Sequence, residues 1–300
     1  MTPHTQATAS PVHAVHAVYG GYDQAGLDAQ YNNQQTVDNF RSYIARYRAL
    51  SDEAKRTLPC VENIAYGPSP DETLDIYGPA NGLAPVLVFI HGGAWQALGK
   101  DDSAFMAPAF VNAGALVVAL NFGNVPAVTV DTMVSQARRA VAWLGQHVAE
   151  YDGDPQRIYL AGHSSGSHLL SQCLTADWPA SGLSPGPAIR GAAFTSGLCD
   201  LEPVRLSYRN ERLKLDQAAV QRLSLVHQRP TVRCPLIVAC AETDTAEFKR
   251  QTLATGDYWR AHGNPVQTFQ IGGKNHYDMV LDLADPGSAL FKACTRMMSL

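Results

Sequence analysis

From Pro85 to Ile90 the chain reads Pro-Val-Leu-Val-Phe-Ile, and from Ala115 to Leu120 it reads Ala-Leu-Val-Val-Ala-Leu. Continuous apolar runs of this length predict strands buried on both faces. Ile158–Ala161, Ile189–Phe194, Leu236–Ala241 and Val266–Ile271 predict four more strands. Val61–Tyr66 and Leu74–Tyr77 predict an earlier pair, with the Gly67-Pro68-Ser69-Pro70 turn between them. Between Asp131 and Glu150 the period changes. Met133, Ala137, Val141, Leu144 and Val148 fall three or four residues apart, which predicts an amphipathic helix with Asp131 as its N-cap. Helices are also expected over Phe248–Ala261 and Ala289–Met298, and in parts of the polar stretch Leu27–Tyr47. Apolar strands alternating with helices make an α/β fold, a mostly parallel central sheet covered by helices on both faces. No internal repeat or interdomain linker interrupts the pattern, and Ser181–Pro187 reads as a loop before a strand. Residues 19–300 are therefore expected to form one domain. The polar, helix-prone segment 202–229 is its candidate small helical cap.

Composition narrows this picture. Apolar residues make up 46% of the 300, enough for a large core, and charged residues 17%, below the roughly 25% of an average domain. The net charge of -4 is spread without a basic stripe or polybasic cluster, so neither nucleic acid nor a membrane surface is expected as a partner. No apolar run reaches transmembrane length. Residues 1–18 lack the basic start and apolar core of a signal peptide and read as a mobile tail. His4, His13 and His16 within it are too irregularly spaced to suggest a metal site. The six cysteines, at 60, 173, 199, 234, 240 and 294, form no Cys-x-x-Cys or zinc-type cluster. Buried free thiols in a reducing cytoplasm are the expectation. No cofactor or metal motif appears: Gly162–Gly166 lacks the ending of a phosphate loop, no Gly-x-Gly-x-x-Gly opens a helix, and no His-Glu-x-x-His occurs.

The candidate chemistry begins at Gly162-His163-Ser164-Ser165-Gly166, between a β-prone run and a helix-prone one. Glycines on either side permit a tight strained turn that would expose Ser164 at a helix N-terminus as a nucleophile. The competing reading is a Gly-rich turn in which Ser164 or Ser165 merely caps the helix. His91-Gly92-Gly93-Ala94-Trp95, at the end of a buried strand, makes that reading less attractive. Backbone N–H groups from Gly92, Gly93 and Ala94, with that of Ser165, could hold the oxyanion of an acyl-transfer intermediate. His276, just after the last predicted strand, is the candidate general base. His163 and His168 lie too near Ser164 along the chain, and His91, His147, His227 and His262 belong to turns or helices. The acid is expected after the Leu236–Ala241 strand. Asp244 is favoured over Glu242 because it stands further past the strand end; Asp200 and Asp282 are remoter alternatives. Trp95, Phe122, Leu198 and Tyr277 are candidates for an apolar substrate wall, each equally readable as core packing.

Four of these segments together resemble the kynurenine formamidase (arylformamidase) branch of the α/β-hydrolases, near the hormone-sensitive-lipase-like esterases. His91-Gly92-Gly93-Ala94-Trp95 resembles its H-G-G-x-W, Gly162–Gly166 its G-H-S-x-G, Asp244–Gln251 its D-S-x-E-F-x-R-Q, and Asn275-His276-Tyr277 its histidine loop. The likeness spans roughly residues 71–280 and implies the order Ser164, Asp244, His276. It departs at Ala94, Ser167 and Asn121-Phe122. The implied function is a serine hydrolase acting through an acyl-enzyme on a small aryl amide or ester, an N-formyl aryl amide above all. The alternatives are a short-acyl carboxylesterase and a non-catalytic ligand-binding protein on the same fold. Nothing in the chain decides between a monomer and a homodimer.

Overall fold

In the computed structural model the described residues are 17–78, 82–180, 182–183 and 186–300. The tail expected over 1–18 lies outside them, save for Ala17 and Val18. Val18 N–H donates to Tyr22 O at 2.7 Å, where the chain enters the fold.

The strands are β1 (Cys60–Ala65), β2 (Thr73–Tyr77), β3 (Ala84–Ile90), β4 (Leu116–Leu120), β5 (Gly153–His163), β6 (Ile189–Thr195), β7 (Leu236–Ala241) and β8 (Val266–Ile271). They form one sheet in the order β1-β2-β4-β3-β5-β6-β7-β8. The β1–β2 and β2–β4 pairs are antiparallel and the remaining five are parallel. Every residue of β3, β4 and β7 is buried, as their unbroken apolar runs require.

The helices are α1 (Gln24–Tyr31), α2 (Phe40–Thr57), α3 (Ala107–Asn112), α4 (Val130–His147), α5 (Ser165–Leu174), α6 (Glu202–Leu206), α7 (Asn210–Leu213), α8 (Gln217–Leu223), α9 (Ala246–Ala261) and α10 (Ala289–Met298). Strand period divides the core between the two faces of the sheet. Val86, Val88 and Ile90 pack with Val134, Val141 and Leu169 on one side. Leu87 and Phe89 pack with Tyr47, Phe110 and Phe291 on the other. No helix among the described residues is long and apolar enough to cross a membrane.

One helical expectation needs correction. Asp131 does not cap α4: Thr129 does, its Oγ1 accepting from Thr132 N–H at 3.2 Å, while Asp131 sits in the first turn and pairs with Arg222 at 3.2 Å. A helix over Ala107–Asn112 was not expected at all. Helix α3, six residues long and started by a proline in its first turn, has no apolar period long enough to announce it.

Candidate active site

Strand β5 ends at His163, and the chain turns into α5 through a single residue. That residue is Ser164, held at φ 52° and ψ -123°, a conformation disfavoured for any side chain. Two contacts hold the turn: Ser164 N–H donates to Thr195 O at 2.9 Å, and Ser167 Oγ–H donates to Gly162 O at 2.7 Å. A Cβ on Gly166 would lie 2.1 Å from Ile90 O, so only glycine lets α5 start this close to β3.

The structure brings Ser164, His276 and Asp244 together although 112 and 32 residues separate the neighbouring pairs along the chain. Ser164 Oγ–H donates to His276 Nε2 at 3.1 Å, and His276 Nδ1–H donates to Asp244 Oδ1 at 2.8 Å. The second oxygen of Asp244 accepts from Ser196 Oγ–H and, at 2.8 Å, from Ala241 N–H. Burial alone would raise the Asp244 pKa. The adjacent His276 charge, with the hydrogen bonds from His276, Ser196 and Ala241, outweighs burial and holds the carboxyl below its usual value. Glu242 is exposed and instead accepts from Gly273 N–H at 2.6 Å. Asp200 accepts from Tyr19 Oη–H, and Asp282 pairs with Lys274 at 2.9 Å. Neither reaches His276.

The His276 ring is gripped from several sides. Phe248 meets it edge-on at 4.7 Å between centroids, Tyr277 lies edge-on at 5.5 Å and His163 lies tilted at 5.0 Å. His163 does not compete as a base: burial, followed by the nearby His276, pushes its pKa down to about 3. His168 is equally neutral, lowered by burial to about 4. It accepts from Trp95 Nε1–H at 3.2 Å and donates through Nε2–H to Leu223 O at 2.9 Å, which fixes its tautomer.

The glycine turn after β3 lies beside the elbow. Trp95 N–H donates to Ser165 Oγ at 3.1 Å, tying the two together. Gly93 takes φ +98°, and Ala94 and Trp95 follow at φ 56° and 61°. A Cβ at Gly93 would meet Ala97 O at 2.0 Å. Among the described residues the N–H groups of Gly93 and Ala94 have no protein acceptor, and both residues line the cavity that Ser164 faces. Ser165 N–H belongs to the first turn of α5, where no intrahelical acceptor exists.

That cavity measures about 260 Å³. Asn33 and Gln34, from the turn after α1, and Phe40, Ile44 and Tyr47 of α2 form one side. Tyr208 and Arg209, from the loop between α6 and α7, form another, and Tyr277 lies beside His276. Of the four expected wall residues only Tyr277 lines it. Trp95 is buried against His168, Phe122 stacks on His91 at 4.2 Å between centroids, and Leu198 is enclosed in the core. Apolar character near the motifs marked these three, but in this fold the strand ends that carry them point inward. Sequence reasoning missed the N-terminal wall because its residues lie far along the chain from every motif. The one signal was the spacing of Phe40, Ile44 and Tyr47, one face of a helix. It also missed Ser196, which follows β6 at φ 45°.

Sheet order, elbow and relay together define an α/β-hydrolase, and the chain is a hydrolase of the serine type. The comparisons narrow the class. A family model described as BD-FAE matches residues 74–177. The chain is 32% identical to the kynurenine formamidase of Salmo salar, over 90% of its own length and 93% of that protein's. It is 31% identical to the kynurenine formamidase of Danio rerio, over 87% and 89%. Among solved structures, a proposed thioesterase from a Silicibacter species superposes with a TM-score of 0.78 at 26% identity, covering 90% of this chain and 98% of that one. The chain belongs to the kynurenine formamidase family.

Proposed function

We propose that this protein hydrolyses a small N-formyl aryl amide through a formyl-enzyme, with Ser164 as nucleophile, His276 as general base and acid, and Asp244 as the carboxylate that orients His276. The observation that carries the reading is the unbroken Ser164–His276–Asp244 relay opening on a small cavity beside two unpartnered backbone amides. Ser164 Oγ attacks the formyl carbon while its proton passes to His276 Nε2. The N–H groups of Gly93, Ala94 and Ser165 stabilise the resulting oxyanion; removing one donor from such a set typically costs roughly 3 kcal/mol. Gly92, the first glycine of the turn, brings the strand against the elbow. An arylamine leaves poorly as an anion, so His276 returns the proton to nitrogen as the C–N bond breaks. Water, deprotonated by His276, then attacks the formyl ester and releases formate. Segment 202–229 acts as a cap, since Tyr208 and Arg209 within it close one side of the cavity.

The formamidase substrate rests on the names of the relatives, and the chemistry of the site suits a short ester equally. Rates of N-formylkynurenine and p-nitrophenyl acetate hydrolysis, measured on one preparation, decide the matter. Formamide turnover with kcat/KM above that of the ester supports the proposal. Brisk ester turnover with no formamide turnover makes the protein a short-acyl carboxylesterase.

A further inference from the structure

His276 sits on a loop that the sheet supports from one side only. Strand β8 is the last of the sheet and pairs with β7 alone. Residues 272–278 leave it and lead into the 3-10 turn Met279–Ala284. On the β7 side they are tied to the loop of Asp244. Thr243 N–H donates to Lys274 O at 3.1 Å, and Gly273 N–H donates to Glu242 Oε2 at 2.6 Å. On the other side the sheet has no further strand to hold them.

Helix α2 supplies a second hold. Tyr43 and Tyr47, four residues apart and so on one face of the helix, reach the two residues that flank His276. Asn275 Nδ2–H donates to Tyr43 Oη at 3.0 Å, and Tyr47 Oη–H donates to Tyr277 O. The Tyr43 ring also stacks on that of Tyr277, with 5.8 Å between centroids and 20° between planes. Asn275 passes the hold inward. Its Oδ1 accepts from Tyr277 N–H at 2.9 Å and from Asp278 N–H at 3.1 Å, closing the turn around His276. Tyr47 is buried, and burial above all raises its pKa far beyond the usual phenol value, so it remains a donor throughout the neutral range.

A general base works only within hydrogen-bond reach of the proton it takes, and a displacement of about 1 Å can cost ~10²-fold in rate. We infer that Tyr43 and Tyr47 are positioning residues for the reaction, holding the loop on both flanks of His276 so that Nε2 stays on Ser164 Oγ and then on the leaving atom. Helix α2 thus does more than wall the cavity with Phe40, Ile44 and Tyr47. The inference rests on the proposed hydrolase reading but not on the choice between amide and ester.

The test compares two acetates that differ in how much their leaving groups need a proton. p-Nitrophenolate leaves unaided, whereas phenolate leaves faster when His276 protonates it. The ratio of kcat/KM, p-nitrophenyl acetate over phenyl acetate, cancels the fraction of active enzyme, so a poorly folding variant does not obscure the answer. Tyr43→Phe and Tyr47→Phe remove only the hydroxyls. Each should raise the ratio at least ~3-fold, and Tyr47→Phe should lower kcat/KM for phenyl acetate ~10-fold. Tyr66→Phe is the control. It deletes the same kind of bond, from a buried hydroxyl to Asn121 O at 2.6 Å, at the β1 end of the sheet, and should leave the ratio unchanged. A ratio unchanged in both α2 variants, or raised as much by Tyr66→Phe, overturns the inference. If neither acetate turns over while formanilides do, the same ratio is read on 4-nitroformanilide over formanilide. If only the acetates turn over, the formamidase reading fails and the acetate ratio decides. A wild-type protein inert toward all four removes the hydrolase reading and this inference with it.

Discussion

Ser196 shows how much of this site depends on residues that carry no motif. It supplies one of three hydrogen bonds to Asp244, from a backbone position at φ 45° where β6 ends. Hydrogen bonds to charged groups are worth roughly 1.5–3 kcal/mol, so Ser196→Ala should lower kcat about 10- to 100-fold with little change in KM. Steady-state kinetics checks this; an unchanged kcat would remove Ser196 from the account. Asp244→Asn should cut kcat by about 10⁴, since it offers His276 the wrong tautomer. Glu242→Gln should leave kcat within twofold, because Glu242 meets only Gly273 N–H. A larger loss in Glu242→Gln than in Asp244→Asn would reverse the assignment of the acid. The motif residues were legible because chemistry restricts their type and the fold restricts their order. Ser196, Phe248 as the wall behind His276, and Arg209 were not, because a serine, a phenylalanine or an arginine at those places has many other reasons to be there.

At the scale of elements, α5 is braced by a histidine. His168 joins the glycine turn through Trp95 to α8 through Leu223, and with His91 and His163 it belongs to a set of buried neutral imidazoles. Burial holds His91 and His168 at about 4 and His163 at about 3, against roughly 6.5 in an unfolded chain. A depressed native pKa means that the unfolded chain binds more protons between these limits. Stability is therefore complete above about pH 6.5 and falls as pH drops toward 4. Thermal unfolding should give a flat Tm from pH 8 to 7 and a steep decline from pH 6.5 to 4.5. His168→Gln should lower Tm at pH 7.5 and shallow the decline. A Tm that stays level down to pH 5 would contradict the burial of these rings. Most strands were legible to within a residue or two, since an apolar run between turns has little freedom, but β5 extends from Gly153 to His163, well past the expected Ile158–Ala161. The cap of α4 was misplaced from Thr129 to Asp131 because both residue types cap helices and only the backbone angles decide. The polar N-terminal stretch was read as helical but not as part of the site, since nothing local ties Tyr47 Oη–H to Tyr277 O across the fold.

On the scale of the whole molecule, the N-terminal region, the sheet and the 202–229 segment meet at one cavity. Residues of α9 lock this arrangement. Gln251 accepts from Cys199 N–H at 2.8 Å and donates to Tyr31 Oη at 2.9 Å, while Glu247 holds Arg250 at 2.7 Å. These belong to the same Asp244–Gln251 segment that holds the proposed acid, so the segment also has an architectural part. The cysteines also behave as a property of the whole fold: all six are unpaired, five are buried and Cys60 is half-buried. Burial pushes the thiols of Cys173, Cys234 and Cys294 up to about 12 and that of Cys60 up to about 11. Iodoacetamide at pH 7.5 should label at most Cys60 in the native protein and all six in denaturant, and reductant should not change Tm. Rapid native labelling of several cysteines would show a looser fold than the one described.

Everything proposed for this site turns on Ser164 being the nucleophile, activated by His276. Treating the protein with a fluorophosphonate and locating the adduct by peptide mass spectrometry tests it most directly. One adduct is expected, on Ser164, absent in Ser164→Ala and formed at least ~100-fold more slowly in His276→Ala. An adduct on another residue, or labelling of wild type and Ser164→Ala at the same rate, would contradict it.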